Sequence, residues 1–334
     1  VTAALAPIVA VLERAIGMAV GSVGPRAVEA AVRRRLDATG VPDLAAYLDR
    51  LRADRQEQAE LVDAVIVPET WFFRYPDSFR HLATWAVTRP EKPNPLRPLR
   101  VLCVPCCTGE EPYSAAAALV DAGLPADAVR VDGVDVSRRL VEYAAAGVYG
   151  EPAFRETPAD VRGRHFAPAG GGTFAVRPAV KAAVRFRAGN LADPKLLAGE
   201  PAYHAVFCRN LFIYLTDAAR RTAVATLDRL LAPDGVIYMG HAEPLGLMDA
   251  RFRSVGPPQA FAFTRTPVEG GGGGGGGPRR GRGGGGPRRP GGAAPRSPGR
   301  RPRPPASAPP DAPAGRPARR RPGGGRCRPG RRRR

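Results

Sequence analysis

The sequence predicts an α/β protein in three parts. A small all-helical domain is expected over residues 1–80, joined by a helix and a Pro-rich linker over 81–99. A mostly parallel, doubly wound α/β domain follows over 100–268, with a small antiparallel β-subdomain at about 165–187. Residues 269–334 are expected to form a disordered tail. Three observations carry the prediction: apolar residues at helical spacing near the start, a strand–Gly loop–helix unit opening at Arg100, and an abrupt change of composition near Gly270.

Leu5, Ile8, Val9, Leu12 and Ile16 recur with the period of one helix face. Gly21 and Gly24 are expected to end that segment, and Pro25, which suits a first helical turn, to open the next. Val28, Val32 and Leu36 give this second helix its apolar stripe, and Gly40 closes it. Asp43 can accept the free N–H groups that start a third helix, with Leu44, Tyr47, Leu48 and Leu51 inward. Residues 57–66 read as a fourth. Arg33, Arg34 and Arg35 on the second helix form either a solvated face or a docking face for an acidic protein.

The next stretch is Val67-Pro68-Glu69-Thr70-Trp71-Phe72-Phe73-Arg74. Three consecutive aromatics cannot all face one core from a helix or a strand. Arg74 beside them can stack on their rings and present a fixed fork to a carboxylate. The alternative reading is a packing plug between domains. Asp77 or Ser78 is expected to cap a helix carrying Phe79, Leu82 and Trp85, and Pro90, Pro93, Pro95 and Pro98 mark the linker.

Val101-Leu102-Cys103-Val104 is a short apolar run, as a strand buried on both faces would be. The loop Cys106-Cys107-Thr108-Gly109-Glu110-Glu111-Pro112-Tyr113-Ser114 leads into an Ala-rich helix. Strand, Gly loop and helix open a nucleotide-binding sheet. The dinucleotide fingerprint needs three glycines and only Gly109 is present, while Glu110 and Glu111 sit where a pyrophosphate would lie. A phosphate-rich cofactor is therefore disfavoured, and a cationic or hydroxyl-rich one favoured. The second strand, residues 129–136, carries Asp135 where such domains grip a ribose diol; Asp135 or Ser137 can also cap the following helix. Residues 154–187, with Gly170-Gly171-Gly172 at their centre, break the β–α alternation and read as the antiparallel excursion. A buried strand through residues 203–208 ends in Arg209 and Asn210, where open sheets bind ligands. Thr216 or Asp217 caps a helix, Pro233-Asp234-Gly235 turns into the strand 236–239, and a last strand is expected over 260–264.

The net charge of +20 is located almost wholly in the tail. From Gly270 onward there are 19 Arg and one acid, against 32 bases and 30 acids in the rest. The body is therefore nearly neutral. The tail cannot bury enough apolar surface to offset chain entropy. Its arginines suit non-specific contact with anions or nucleic acid, but no aromatic is interleaved to stack on bases. Five cysteines without a disulfide-like framework point to a reducing, cytoplasmic compartment. No uninterrupted apolar run reaches about 18 residues, so no membrane span is expected. No leader peptide is read at the start.

Taken together, these stretches resemble the chemotaxis receptor methyltransferase (CheR) family over about residues 5–266. The resemblance rests on Thr70-Trp71-Phe72-Phe73-Arg74, Thr108-Gly109-Glu110-Glu111-Pro112-Tyr113-Ser114, Asp135, Asn190-Leu191, and Cys208-Arg209-Asn210 with Tyr214. Pro233-Asp234-Gly235 and Gly240-His241-Ala242-Glu243 match as well. It implies a Rossmann-like methyltransferase domain that moves a methyl group from S-adenosylmethionine to glutamates on cytoplasmic receptor helices. The products are glutamate γ-methyl esters and S-adenosylhomocysteine, and the role is sensory adaptation. By resemblance Glu111 contacts the methionine amino end, Asp135 the ribose hydroxyls, and Asn190 and Leu191 the adenine. Thr70 and Arg74 reach in from the aromatic segment, and Cys208, Arg209 and Asn210 line the strand end beneath the cofactor. Arg74 and Tyr214 would position the acceptor. Family members often have Asn where this chain has Pro68, which removes one cofactor hydrogen bond. The excursion around Gly170 looks short beside members that tether to a receptor's C-terminal peptide, so a tether-independent enzyme is expected, and separately a monomer. Arg33, Arg34 and Arg35 would then be the main docking face.

Two other readings compete: a nucleic-acid methyltransferase guided by the tail, and a non-catalytic scaffold of the same shape. A zinc module on Cys103, Cys106 and Cys107 is disfavoured because no second C-x-x-C pair completes it.

Overall fold

The computed structural model describes residues 3–66, 68–243 and 251–266; the predicted tail and its anion-binding reading lie outside the described residues. Five helices come first: α1 (Ala6–Ile16), α2 (Val20–Val23), α3 (Pro25–Thr39), α4 (Leu44–Ala53) and α5 (Arg55–Val65). Asp43 accepts from the N–H groups of Ala45 and Ala46, and Asp54 does the same for Gln56 and Glu57, so two helix starts are capped by carboxylates. Ile8, Leu12, Val28, Val32, Tyr47 and Leu61 meet in a core of their own. α1 stops at Gly17, short of the predicted Gly21, because Gly17 turns left-handed at φ 74° and its N–H closes on the Glu13 carbonyl.

The three consecutive arginines of α3 do not form one docking face. Successive helical residues are about 100° apart, so three in a row span about 200° of the circumference. Arg35 turns inward and donates to both oxygens of the buried Glu57, from Nε at 2.9 Å and from Nη2 at 2.7 Å. Arg33 pairs with Glu29, and Arg34 donates to the Ala64 carbonyl at the end of α5. Burial opposes the charge on Glu57, yet hydrogen bonds from Arg35 and Tyr47 pull its carboxyl below the ordinary value. A lowered folded pKa stabilises the fold above the unfolded carboxyl's pKa, and that contribution fades as pH falls through the folded value. Arg35→Ala is therefore expected to cost about 3 kcal/mol at pH 7 by leaving a buried carboxylate with only the more distant Arg50, at 4.0 Å, as its cation. The difference from wild type should shrink at pH 4, as Glu57 takes up a proton, when urea midpoints of the two chains are compared.

α6 (Pro76–Thr88) leads to the sheet. Neither Asp77 nor Ser78 caps it; Tyr75 holds the cap position at φ 62°, with Pro76 opening the first turn. The large sheet has the order β6-β2-β1-β7-β8-β10-β9. Its strands are β1 (Leu99–Cys103), β2 (Val129–Asp135), β6 (Val184–Ala188), β7 (Tyr203–Cys208), β8 (Leu231–Met239), β9 (Phe252–Val255) and β10 (Ala262–Arg265). The first five are parallel, and β10 runs antiparallel to both neighbours. α7 (Glu110–Asp121) and α6 contribute to the core on one face, and α11 (Asp217–Leu230) covers the other. α8 (Arg138–Ala146) follows β2 and is capped by Ser137, which accepts from the Leu140 N–H.

The predicted excursion is a separate sheet of β3 (Val148–Gly150), β5 (Thr173–Val176) and β4 (Phe166–Gly170), in that order. Short helices α9 (Ala159–His165) and α10 (Pro178–Ala182) flank it. The run Ala183-Val184-Arg185-Phe186, read above with the excursion, instead supplies β6, the edge of the large sheet beside β2. Phe72 pins the small sheet to the body, with ring centroids 4.8 Å from Tyr149, 4.9 Å from Phe154 and 4.6 Å from Phe166. No described helix is long and apolar enough to cross a membrane.

Candidate active site

Strand order reverses at β1, between β2 and β7, and a crevice opens at the carboxyl ends of the strands there. It holds a cavity of about 420 Å³. The strand ends supply Val104, Asp135 and Arg209, and the helical domain closes the opposite side with Ile16, Met18, Val65 and Ile66.

The loop after β1 is shaped by its own backbone. Gly109 takes φ 96° just before α7, and a Cβ there would lie 2.7 Å from Ala144 Cβ. The Cys107 N–H donates to Asp135 Oδ2 at 2.8 Å, and the Ser137 N–H to Oδ1 at 3.0 Å. Asp135 is thus locked at the end of β2 with lone pairs left over on both oxygens. Burial pushes its carboxyl upward while these N–H groups pull it down. The two neighbouring glutamates divide their work. Glu110 accepts from Thr108 Oγ1 at 2.7 Å, whereas Glu111 lines the cavity. Glu111 Oε2 accepts from Arg209, and Oε1 is buried with no hydrogen-bond partner. Burial raises the Glu111 carboxyl, opposed by the guanidinium of Arg209. Cys107, where the same loop brings a thiol to the cavity, is pushed up to about 12 by burial and the nearby Asp135 charge, so it stays protonated.

The aromatic segment is strained where it meets the cavity. Phe73 and Tyr75 both have positive φ, 59° and 62°, a conformation that bulky side chains rarely adopt. The turn aims Arg74 between them into the cavity. Its guanidinium stacks 4.3 Å from the Trp71 ring, its Nη1 donates to the Glu69 carbonyl at 2.7 Å, and its Nε is buried without a partner. Arg209, itself buried, donates to the Arg74 carbonyl at 2.8 Å, so Glu111, Arg209 and the Arg74 backbone form one chain of contacts.

Of the residues expected from sequence, Thr70, Arg74, Glu111, Asp135, Asn190, Leu191, Arg209, Asn210 and Tyr214 all line this one cavity, as does Pro68. Cys208 does not. It is the last residue of β7, its side chain points into the core beside Met239 and Leu227, and it is 0% exposed. Alternation along a strand explains this, since Arg209 and Cys208 face opposite ways. Asn190 is partly occupied already: its Oδ1 accepts from the Ala192 N–H at 2.9 Å, and its Nδ2 donates to the Ala15 carbonyl at 3.4 Å. The helical-domain wall was not read from sequence, because a stripe of apolar residues looks the same whether it meets a core or a ligand. Among the described residues, no group of three or more His, Cys, Asp or Glu could hold a metal.

Comparison with known proteins accords with this geometry. Residues 68–261 match the family described as CheR methyltransferase, SAM binding domain, and residues 3–66 match CheR methyltransferase, all-alpha domain. The chain is 45% identical over 255 residues to the probable biofilm formation methyltransferase WspC of Pseudomonas aeruginosa, which covers 76% of this chain and 60% of that one. A second WspC, from Pseudomonas putida, is 44% identical and is likewise covered to 60%, so the chain spans about three fifths of these relatives. Chemotaxis protein methyltransferase 1 of Pseudomonas aeruginosa is 29% identical over 73% of this chain and 91% of its own length.

Proposed function

The chain belongs to the CheR methyltransferase family and uses S-adenosylmethionine, and on that premise we propose that it methylates glutamate side chains on the cytoplasmic helices of chemotaxis-type receptors, forming γ-methyl esters for sensory adaptation. The cavity residues fit the cofactor. Glu111 Oε1 is a buried carboxylate oxygen with no donor of its own, which suits the ammonium of a methionine. Asp135 keeps acceptor capacity for a ribose diol, and Leu191 offers an apolar face to the base. When bound, S-adenosylmethionine supplies a methyl group activated by a sulfonium.

The observation that carries the acceptor reading is that Arg74, whose Nε is buried and unpartnered, lines the same cavity as Tyr214. A guanidinium and a phenol can orient a carboxylate. A glutamate is already ionised at neutral pH, so no base is required of the protein. The protein must align one carboxylate oxygen and exclude water from it. Negative charge disappears as the ester forms, so a tight ion pair would slow the reaction. Arg74 is restrained by Trp71 and by the Glu69 carbonyl, which limits how closely it can clamp the acceptor.

The test is tritium-methyl transfer from S-adenosylmethionine to receptor cytoplasmic fragments, followed by mild alkali. Label that leaves as volatile methanol is an ester; label that withstands alkali would exclude the ester reading. Arg74→Ala is expected to lower the turnover number about 100-fold by losing acceptor alignment. Binding of S-adenosylhomocysteine should change much less, by about 10-fold or under, the scale of one hydrogen bond. Full turnover with unaltered binding would remove Arg74 from this role.

A further inference from the structure

The turn after β8, Gly240-His241-Ala242-Glu243, does not line the cavity, yet it is tied to both arms of the acceptor side. Glu243 is 5% exposed, and its Oε1 accepts the Leu211 N–H at 2.7 Å. Its Oε2 is buried without a hydrogen-bond partner, and burial pushes its carboxyl upward while the neighbouring backbone N–H groups, Leu211 first, pull it down. Leu211 holds the cap position of the 3-10 turn Phe212–Tyr214, and the segment it belongs to brings Asn210 and Tyr214 to the cavity. Asn210 sits at φ 57°, a left-handed conformation that Asn adopts more readily than most side chains. Gly240 packs against it closely: a Cβ on Gly240 would meet the Asn210 nitrogen at 2.9 Å.

The same turn is anchored from the Arg74 side. The His241 ring stacks between Tyr75, at 3.9 Å between centroids, and Phe261, at 4.3 Å. Tyr75 is the strained residue directly after Arg74, so His241 buttresses one arm while Glu243 holds the other.

We infer that Glu243 is a positioning residue for methyl transfer, one that touches neither cofactor nor acceptor but fixes the Asn210–Tyr214 segment through the Leu211 amide. Its importance for catalysis rests on the acceptor reading given above; its hold on the segment does not.

The experiment compares wild type, Glu243→Ala and Glu243→Gln in the full chain by amide hydrogen exchange, S-adenosylhomocysteine calorimetry and receptor-fragment methylation. In Glu243→Ala the Leu211 amide should exchange about 10- to 100-fold faster, the scale set by losing one charge-assisted hydrogen bond, and the neighbouring amides of residues 210–213 should follow as the segment loosens. Turnover should fall about 30-fold by loss of alignment, while S-adenosylhomocysteine affinity stays within about threefold of wild type. Glu243→Gln keeps an oxygen acceptor and the side-chain shape, so it should lie between the two and serves if the alanine variant does not fold. Unchanged exchange at residues 210–213 would overturn the inference, and so would lost protection with full turnover. A fall in cofactor affinity that matches the fall in turnover would also overturn it, since Glu243 would then act on the cofactor site. If wild type methylates no receptor fragment, the acceptor reading fails and the exchange measurement alone decides the role of Glu243.

Discussion

Glu111→Gln is expected to weaken S-adenosylhomocysteine binding about 100-fold, the upper range for losing a charge-assisted hydrogen bond in a buried site. It should also lower stability by about 3 kcal/mol, because Arg209 is left as a buried cation without its counter-charge. The two effects have different sources and can be separated. Arg209 has only 4% of its side chain exposed, and its partner has 11%. Adding Arg209→Met to Glu111→Gln removes both buried charges and leaves an apolar side chain of similar length. The double variant should regain most of the stability and none of the affinity. Urea unfolding and calorimetry read the two quantities. If affinity returned together with stability, Glu111 would serve only to neutralise Arg209, and the ammonium would have to bind elsewhere. A pH effect follows as well. Burial raises the Glu111 carboxyl above its ordinary value, opposed by Arg209, so protons compete more readily with a cationic ligand there. Affinity in wild type should therefore fall as pH drops through that raised value, and in Glu111→Gln this dependence should be lost.

What could be read from sequence was what lies close together along the chain. The β1–loop–α7 unit announces itself because an apolar run, a glycine at positive φ and a helix-opening Pro112 occur within about a dozen residues. Glu111 and Asp135 follow from it, since each occupies a fixed place at the end of a strand or the start of a helix. The errors arise where direction depends on distant partners. Arg35 looks like its neighbours until Glu57, far along the chain, draws it inward. Cys208 adjoins a cavity residue, but strand alternation sends it into the core. β6 carries alternating Arg and apolar residues that suit either an excursion or a sheet edge, and its pairing with β2 decides the matter. Glu243 was visible as part of a motif, but its contact with the Leu211 amide depends on how the ends of β7 and β8 lie side by side.

The site is also assembled from two cores, and this makes their seam as sensitive as the loop after β1. Backbone hydrogen bonds cross it: the Ala19 N–H donates to the Tyr214 carbonyl at 2.7 Å, and the Thr216 N–H donates to the Gly17 carbonyl at 2.9 Å. Met18 and Leu215 form the bridge between these bonds, and Ile16, Met18, Tyr214 and Leu215 all line the cavity. The helical domain therefore sets the position of the segment that carries Tyr214, in addition to any part it takes in docking.

Gly17→Ala is expected to break that seam. Two costs add at this position. The left-handed backbone disfavours any side chain by about 1 kcal/mol. A Cβ would also lie 2.5 Å from Ala219 Cβ, at the first turn of α11, where neither backbone can move freely. Overpacking of this kind costs about 1–3 kcal/mol, giving a total of about 3 kcal/mol. Gly40→Ala is the control. Gly40 has nearly the same dihedrals, φ 67° and ψ 15° against 74° and 14°, but nothing lies within 4 Å of its missing Cβ. It should lose about 1 kcal/mol and leave the cavity untouched. Removing the opposing methyl should rescue the seam: Gly17→Ala with Ala219→Gly trades the clash for a helix-propensity cost of about 1 kcal/mol. S-adenosylhomocysteine affinity should fall about 10-fold in Gly17→Ala, the scale of one lost hydrogen bond, and largely return in the double variant. If Gly17→Ala proved as mild as Gly40→Ala, the seam would be compliant, and the helical domain would not be holding Tyr214 in place.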